Sequence, residues 1–241
     1  MQLSGNKILI TGGASGIGLA MAERFLREEN TVIICGRRHE VLQAAQAQFP
    51  ALIIKSCDLA DATERMNFFQ WIQQEHADVN VLVNNAGIQQ WMDPDDPQFL
   101  EKALAEIAIN IEAPIHLTKL FLQLPALHTI MNVTSGLSMV PLVKVPVYSA
   151  TKAFMHSFNW SLRHLLRNKK VEVIEIVPPA LNTDLGGKGI HDFAPPVAPF
   201  IEDIFNQLKE GKQTLTHGFT ENMAKAGAEI LQPVFTRMNG E

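Results

Sequence analysis

Short runs of apolar, mostly β-branched residues alternate along this chain with longer segments in which apolar positions recur every three or four residues. The short runs are Lys7–Thr11, Thr31–Cys35, Leu52–Ser56, Val79–Asn84, Ile130–Thr134 and Val171–Val177. Several are apolar almost without a break, as strands buried on both faces are. The longer segments include Gly18–Glu28, Glu40–Gln48, Thr63–Gln74 and Ser149–Arg167. In the last, Phe154, Phe158, Leu162 and Leu165 fall at helical spacing. Strand and helix alternating in this way predict right-handed crossovers and a parallel sheet covered on both faces, a doubly wound α/β fold. No repeat, low-complexity tract or linker divides the chain, so residues 1–241 are expected to form one domain. The Pro-rich stretch Phe193–Pro199 is expected to be a loop inside it.

Composition narrows the function classes. A chain of 241 residues with 46% hydrophobic and 19% charged residues can build its own core. A net charge of -5, with Lys and Arg scattered, argues against nucleic acid as a partner. The two cysteines, Cys35 and Cys57, cannot make a disulfide framework, and the eight histidines show no metal-ligand spacing, so no metal is expected. The N-terminus runs directly into a strand without the charged lead and apolar run of a signal peptide, and no apolar stretch is long enough to span a membrane. A cytoplasmic address and no membrane partner are expected.

The first strand is followed by Thr11-Gly-Gly-Ala-Ser-Gly-Ile-Gly18. Gly12, Gly16 and Gly18 allow a sharp turn and a close approach of backbone amides to a pyrophosphate. The next helix then points its positive end at that anion. A glycine-rich turn alone is weak evidence, but its place between a buried strand and a helix is the context that dinucleotide binding requires. Ser15 and Ile17 lie in the same loop. At the end of the second strand, where an NAD site carries an acidic residue, the chain has Gly36-Arg37-Arg38. Arg37 and Arg38 without a carboxylate suit a ribose 2′-phosphate, which predicts NADP(H) in preference to NAD(H). Asp58 and Leu59 follow the third strand, placed to meet an adenine. Asn85, Ala86 and Gly87 follow the fourth, leaving room for a ribose. Both are also ordinary turn chemistry.

The chain's one tyrosine, Tyr148, precedes Lys152 by four residues, one helical turn along the same face. A phenol with a pKa of about 10 is a poor acid and base at neutral pH. An ammonium about 4 Å away is expected to lower that pKa, less what burial takes back. Thirteen residues upstream, Ser135 stands at the end of the fifth strand, able to hold a substrate oxygen beside the phenol.

Together these residues resemble the short-chain dehydrogenase/reductase family, in its single-domain Rossmann-like branch. The resemblance runs in order through T-G-x-x-x-G-x-G, N-N-A-G, the Ser thirteen before Tyr, and Y-x-x-x-K, over about residues 5 to 185. It implies that Tyr148 is the acid/base, Ser135 orients the carbonyl, and Lys152 binds the nicotinamide ribose and tunes Tyr148. It also implies that Asn110 holds a proton-relay water and that Thr183 contacts the carboxamide, with Pro178 and Leu181 lining the same side. The chain departs from the family in Pro178-Pro179, where Pro-Gly is usual, which leaves that loop's path open. The double proline and the Gly-Arg-Arg turn are similar to a bacterial subgroup associated with D-alanyl-lipoteichoic acid genes.

The expected activity is therefore hydride transfer between NADP(H) and a small carbonyl or alcohol substrate. A catalytically silent sensor or scaffold on the same fold is the alternative. Leu137–Val145, Gln89–Met92 and a loop near 185–199 are expected to shape the substrate site, with Trp91, Met92, Met139 and Phe193 making it apolar. The resemblance implies that helices over Leu104–Leu122 and Ser149–Arg167 pair between subunits, and apolar residues on several faces of 149–167 predict a homodimer or homotetramer.

Overall fold

The computed structural model describes residues 1–240; Glu241, the last residue of the expected domain, lies outside the described residues. Seven strands form one parallel sheet in the order β3-β2-β1-β4-β5-β6-β7. They are β1 (Lys7–Thr11), β2 (Thr31–Gly36), β3 (Ile53–Ser56), β4 (Val81–Asn84), β5 (Thr129–Val133), β6 (Glu172–Val177) and β7 (Thr214–Thr216). The helices are α1 (Gly16–Arg27), α2 (His39–Gln48), α3 (Ala62–Glu75), α4 (Phe99–Ile107), α5 (Ala113–Phe121), α6 (Pro146–Leu166), α7 (Val197–Lys209), α8 (Phe219–Met223) and α9 (Ala228–Asn239).

The apolar strands divide their residues between two cores with the period of two that a pleated strand imposes. Ile8 and Ile10 of β1 and Val32 and Ile34 of β2 pack with Met21 and Phe25 of α1, Leu42 of α2 and Phe200, Ile204 and Phe205 of α7. Leu9, Ile33 and Cys35 face the other way, into Phe68, Phe69 and Ile72 of α3, Leu117 and Phe121 of α5 and Leu162 of α6. Cys35 and Cys57 are free and buried. Strand order reverses between β1 and β4, which both pair with their neighbours in parallel register. In such sheets the carboxyl ends of the strands open a crevice at that point.

Three local features differ from the sequence expectation. Residues 104–122 do not form one regular helix: a π turn, Ala108–Glu112, separates α4 from α5, and the Ala113 N–H reaches back to the Ala108 carbonyl. Pro114, just beyond, has no N–H to give to a regular helical ladder. The stretch Phe193–Pro199 is not wholly a loop, because α7 begins at Val197 and takes Pro199 into its first turn. There the missing N–H costs nothing. Ser135 is not the end of β5, which stops at Val133; it caps the short 3₁₀ turn Gly136–Ser138, its hydroxyl accepting the Leu137 N–H at 3.1 Å. No helix among the described residues is long and apolar enough to cross a membrane.

The sheet also carries buried polar groups. Asn84 of β4 donates to Asn132 of β5 at 2.8 Å, and Asn132 donates to Asn159 of α6 at 2.6 Å. Glu175 of β6 is fully buried, accepts the Thr134 hydroxyl at 2.8 Å and faces His156 Nδ1 of α6 at 2.9 Å. Donation of a hydrogen bond to Glu175 raises the imidazole pKa above its ordinary value, against the opposing effect of burial. A raised folded-state pKa contributes stability that is complete below the unfolded value of about 6.5 and disappears as pH rises through the folded value. His156→Leu should therefore cost about 1.5–3 kcal/mol at pH below 6, the size of a hydrogen bond to a charged group, and less at alkaline pH. Urea unfolding of both proteins across that range checks this; a cost independent of pH would contradict it.

Candidate active site

The glycine loop and the end of β4 close on each other at the reversal point. Thr11 Oγ1 accepts the backbone N–H groups of Asn85 and Ala86, each at 3.0 Å. Asn85 Nδ2 donates in return to the carbonyls of Thr11 at 2.9 Å and Gly12 at 3.2 Å. The backbones come so near that a Cβ on Gly12 would lie 2.9 Å from Ala86 Cα, and one on Gly18 would lie 2.4 Å from the Gly12 carbonyl oxygen. Gly12 and Gly16 also adopt φ of +62° and +53°, open to glycine at little cost. Ser15 caps α1 without a side-chain hydrogen bond to it, and no acidic residue sits in the helix's first turn. The amides at this helix start are thus left to an anion, and the cradle fits a dinucleotide pyrophosphate. Ile17 turns inward, half-buried against the first core.

The remaining expected cofactor residues surround this cradle. Arg37 and Arg38 are exposed just past β2, and Gly36 has open space where a side chain would stand. Beyond β3, Asp58 Oδ1 accepts the Ala60 N–H at 3.0 Å, and Leu59 is buried, its carbonyl held by the guanidinium of Arg65. Arg65 is itself buried and bridges to Glu112 and to His116 Nδ1, tying the Asp58–Leu59 turn to the π turn. Thr183 faces Gly16: a Cβ there would lie 3.4 Å from its methyl carbon. Pro178 and Leu181 are buried. The path of the double-proline loop is fixed by carbonyls, which proline retains. Gly136 N–H donates to Pro178 O at 3.0 Å, and Asn182 N–H donates to Pro195 O at 2.8 Å.

The four expected catalytic residues meet at the carboxyl edge of the sheet. Tyr148 is buried, and Ser135 is close enough to act on its phenol. Lys152 Nζ donates to Val133 O at 2.9 Å and lies 5.5 Å from the centre of the phenol ring. Gly87 stands against both Lys152 Nζ, 3.5 Å from where its Cβ would be, and Asn110 Oδ1, at 3.3 Å. The Asn110 side chain is used up by bridging. Its Oδ1 accepts Ile88 N–H, and its Nδ2 donates to Ile88 O and Thr151 Oγ1.

The electrostatics differ from the sequence expectation. Burial raises the Tyr148 pKa; the Ser135 hydrogen bond pulls it back only in part, and Glu106 raises it further. The Lys152 ammonium is turned to the Val133 carbonyl and is itself buried, which brings its own pKa down to about 8. The substrate side also differs from expectation. Met92 is buried, but Trp91 and Phe193 are 55% and 80% exposed, with Lys144 Nζ over the Trp91 ring. The polar contact there is between His191 and Gln89, at 3.3 Å.

Residues 6–192 match the family model of the short chain dehydrogenases. The chain belongs to the short-chain dehydrogenase/reductase family. As a member it is an NAD(P)-dependent oxidoreductase. Along 99% of its length it is 40% identical to the uncharacterized oxidoreductase DltE of Bacillus subtilis (strain 168), covering 98% of that protein. That likeness extends to the subgroup associated with dlt genes. A short chain dehydrogenase from Burkholderia cenocepacia, solved with NADP, has the same fold with a TM-score of 0.84 at 23% identity, over 99% of each chain. A family member from Burkholderia phymatum, solved with NAD, superposes with a TM-score of 0.77 at 16% identity, over 90% of each chain.

Two buried groups of this short-chain dehydrogenase escaped the sequence reading. Arg65 gave no signal because an arginine in a helix with one apolar face reads as part of its solvated face, whereas it is buried with Phe68, Phe69 and Ile72. Glu106 sits four residues before Asn110, and that spacing on a shared helix face was the only available signal.

Proposed function

We propose that this chain interconverts a small carbonyl compound and its alcohol, with Tyr148 exchanging the proton and with NADP(H) preferred to NAD(H). The observation that carries this reading is a lone tyrosine buried beside Ser135, one helical turn from Lys152, at the mouth of a glycine cradle. When bound, the nicotinamide supplies or accepts the hydride. Ser135 Oγ already accepts the Leu137 N–H, so its own hydrogen, given to the phenol in the free site, would turn to the substrate oxygen. Tyr148, held in its protonated form by burial, donates to the same oxygen, and both donors are fixed before the substrate arrives. Lys152 would reach the nicotinamide ribose. Asn110 pins segment 88–90 to α6, and Pro114, four residues on, brings no N–H to the Asn110 carbonyl. That carbonyl is where the relay water would bind.

Segments 137–145, 89–92 and 185–199 would shape the substrate site. A silent sensor is not favoured, since the relatives that match are oxidoreductases. Family members carry NADP or NAD, so the cofactor preference rests on this chain's own Arg37 and Arg38, exposed beside the open Gly36. Self-association as a homodimer or homotetramer is supported by exposed apolar side chains on α4 and α6: Leu100, Leu104, Ile107, Phe154, Trp160 and Leu165.

Three measurements test these readings. Tyr148→Phe keeps the ring and removes the proton; NADPH-dependent reduction of ketones, aldehydes or quinones should fall by about 100- to 10,000-fold in kcat while NADPH binding is retained. More than about a tenth of wild-type turnover would rule Tyr148 out. Arg37→Ala should weaken NADPH by about ten- to a hundredfold, the worth of a charged hydrogen bond, and leave NADH nearly unchanged. Equal weakening of both cofactors, or a wild type that prefers NADH, would remove Arg37 from that role. Light scattering at micromolar concentration should give a dimer or tetramer; a monomer would leave the apolar faces of α4 and α6 without this explanation.

A further inference from the structure

Arg65 is a charged side chain buried on α3 among Phe68, Phe69 and Ile72. A guanidinium stripped of water stays charged, so each of its edges has to find an acceptor. Three elements supply them. Nε donates to His116 Nδ1 of α5 at 3.0 Å, one terminal nitrogen to the Leu59 carbonyl and the other to the Glu112 carboxylate. Burial and the neighbouring guanidinium hold the His116 pKa below its ordinary value, so the ring remains an acceptor at neutral pH. The Glu112 side chain is 58% exposed, so water can take over its carboxylate if the pair is broken. A brace between helices alone does not call for such an arrangement, because apolar side chains of similar volume often replace buried ion pairs without loss of stability.

What the guanidinium holds is one peptide plane. The Leu59–Ala60 peptide gives its carbonyl to Arg65 and its N–H to Asp58 Oδ1 at 3.0 Å. A peptide is rigid, so holding the carbonyl sets the direction of the N–H, and with it the rotation of the Asp58 carboxyl group. The rest of the turn is fastened as well. Asp58 N–H donates to Glu64 Oε2 at 2.6 Å, and Asp61 N–H donates to the Asp58 carbonyl at 3.2 Å. Two groups are left over. Asp58 Oδ2 and the Leu59 N–H have no hydrogen-bond partner among the described residues. An acceptor beside a donor suits the edge of an adenine, where an amino group adjoins a ring nitrogen.

We propose that Arg65 is a positioning residue for adenine recognition: through the Leu59–Ala60 peptide it aims the free Asp58 oxygen at the adenine amino group. The inference rests on the reading of Asp58 and Leu59 as the adenine seat. Without Arg65 the Leu59 carbonyl loses its donor, the peptide plane turns, and the Ala60 N–H leaves Asp58. The carboxyl group then samples several rotations, of which only some face the base. The glycine cradle at the start of α1 is untouched, so the cofactor still binds. What is lost is the ability to tell an amino group from an oxygen at that edge of the purine.

The test compares NADPH with reduced nicotinamide hypoxanthine dinucleotide phosphate. In the analogue a carbonyl oxygen replaces the purine amino group and the adjacent ring nitrogen carries a proton. Both fluoresce through the reduced nicotinamide, so fluorescence titration gives each dissociation constant with no substrate; the two counterparts without the 2′-phosphate are run beside them. The proteins are wild type, Asp58→Ala and Arg65→Met, which fills the space without a donor, with thermal unfolding to confirm the fold. Wild type should bind the adenine cofactor about ten- to a hundredfold tighter than its analogue, the worth of a charged hydrogen bond. In Asp58→Ala and Arg65→Met the ratio should fall to about threefold or less, with Arg65→Met unfolding close to the wild-type temperature. If Arg65→Met does not fold, Arg65→Gln, too short to reach Leu59, is read in the same way; if neither folds, Arg65 serves the fold and the proposal is lost. A folded Arg65 variant that keeps the wild-type ratio overturns the proposal, while loss of the ratio in Asp58→Ala alone leaves the adenine seat standing. A wild type that binds both dinucleotides equally overturns the seat and the proposal together. None of these outcomes depends on turnover, so failure of the proposed reaction is recognised separately.

Discussion

The close approach of the β1 turn to the end of β4 is the constraint on which the rest of this molecule depends. Thr11 and Asn85 exchange hydrogen bonds across the reversal point, and the glycines at 12 and 18 let the two backbones come within contact of each other. That contact leaves the α1 amides free at the floor of the crevice. It also places Gly87, and with it the segment 88–90, against Asn110 and Lys152. The glycine cradle and the proposed catalytic edge are thus two sides of one tight junction, and a side chain at Gly18 would disturb both.

Around that junction the ionisable groups are held without the ion pairs that usually accompany burial. Lys152 has a carbonyl rather than a carboxylate, Glu106 has one backbone amide, and Tyr148 has a serine hydroxyl. In a low-dielectric site each then titrates away from its solution value in the direction that removes its charge. The acidic groups Tyr148 and Glu106 go up and the basic Lys152 goes down. The buried pair that is well matched, Glu175 with His156, lies one layer away, where it braces α6 against β6.

Much of the fold could be read from the chain because strands buried on both faces advertise themselves. Six of the seven strands fall within a residue or two of the apolar runs. β7 was missed, since three residues, Thr214–Thr216, are too few to set a period. The start of α7 was misread because prolines signal a loop wherever they stand, whereas in a helix's first turn they are harmless. The π turn at Ala108–Glu112 was invisible for a different reason: a one-residue change in hydrogen-bond register leaves the apolar spacing almost intact.

By itself the sequence indicated six of the seven strands, the glycine cradle, and Ser135, Tyr148 and Lys152 as candidates, because backbone freedom and reactive side chains are properties of residues and their local spacing; Asn110 came only from the resemblance to the family. The tertiary structure decided which way the charges run. The Lys152 ammonium finds its hydrogen bond at the Val133 carbonyl, on another element, and lies over the Tyr148 ring, neither of which its spacing from Tyr148 could show. Whether Glu106 is a solvated surface charge or a buried one depends on what packs over α4. Electrostatic effects follow distance and burial, and neither is a function of position along the chain.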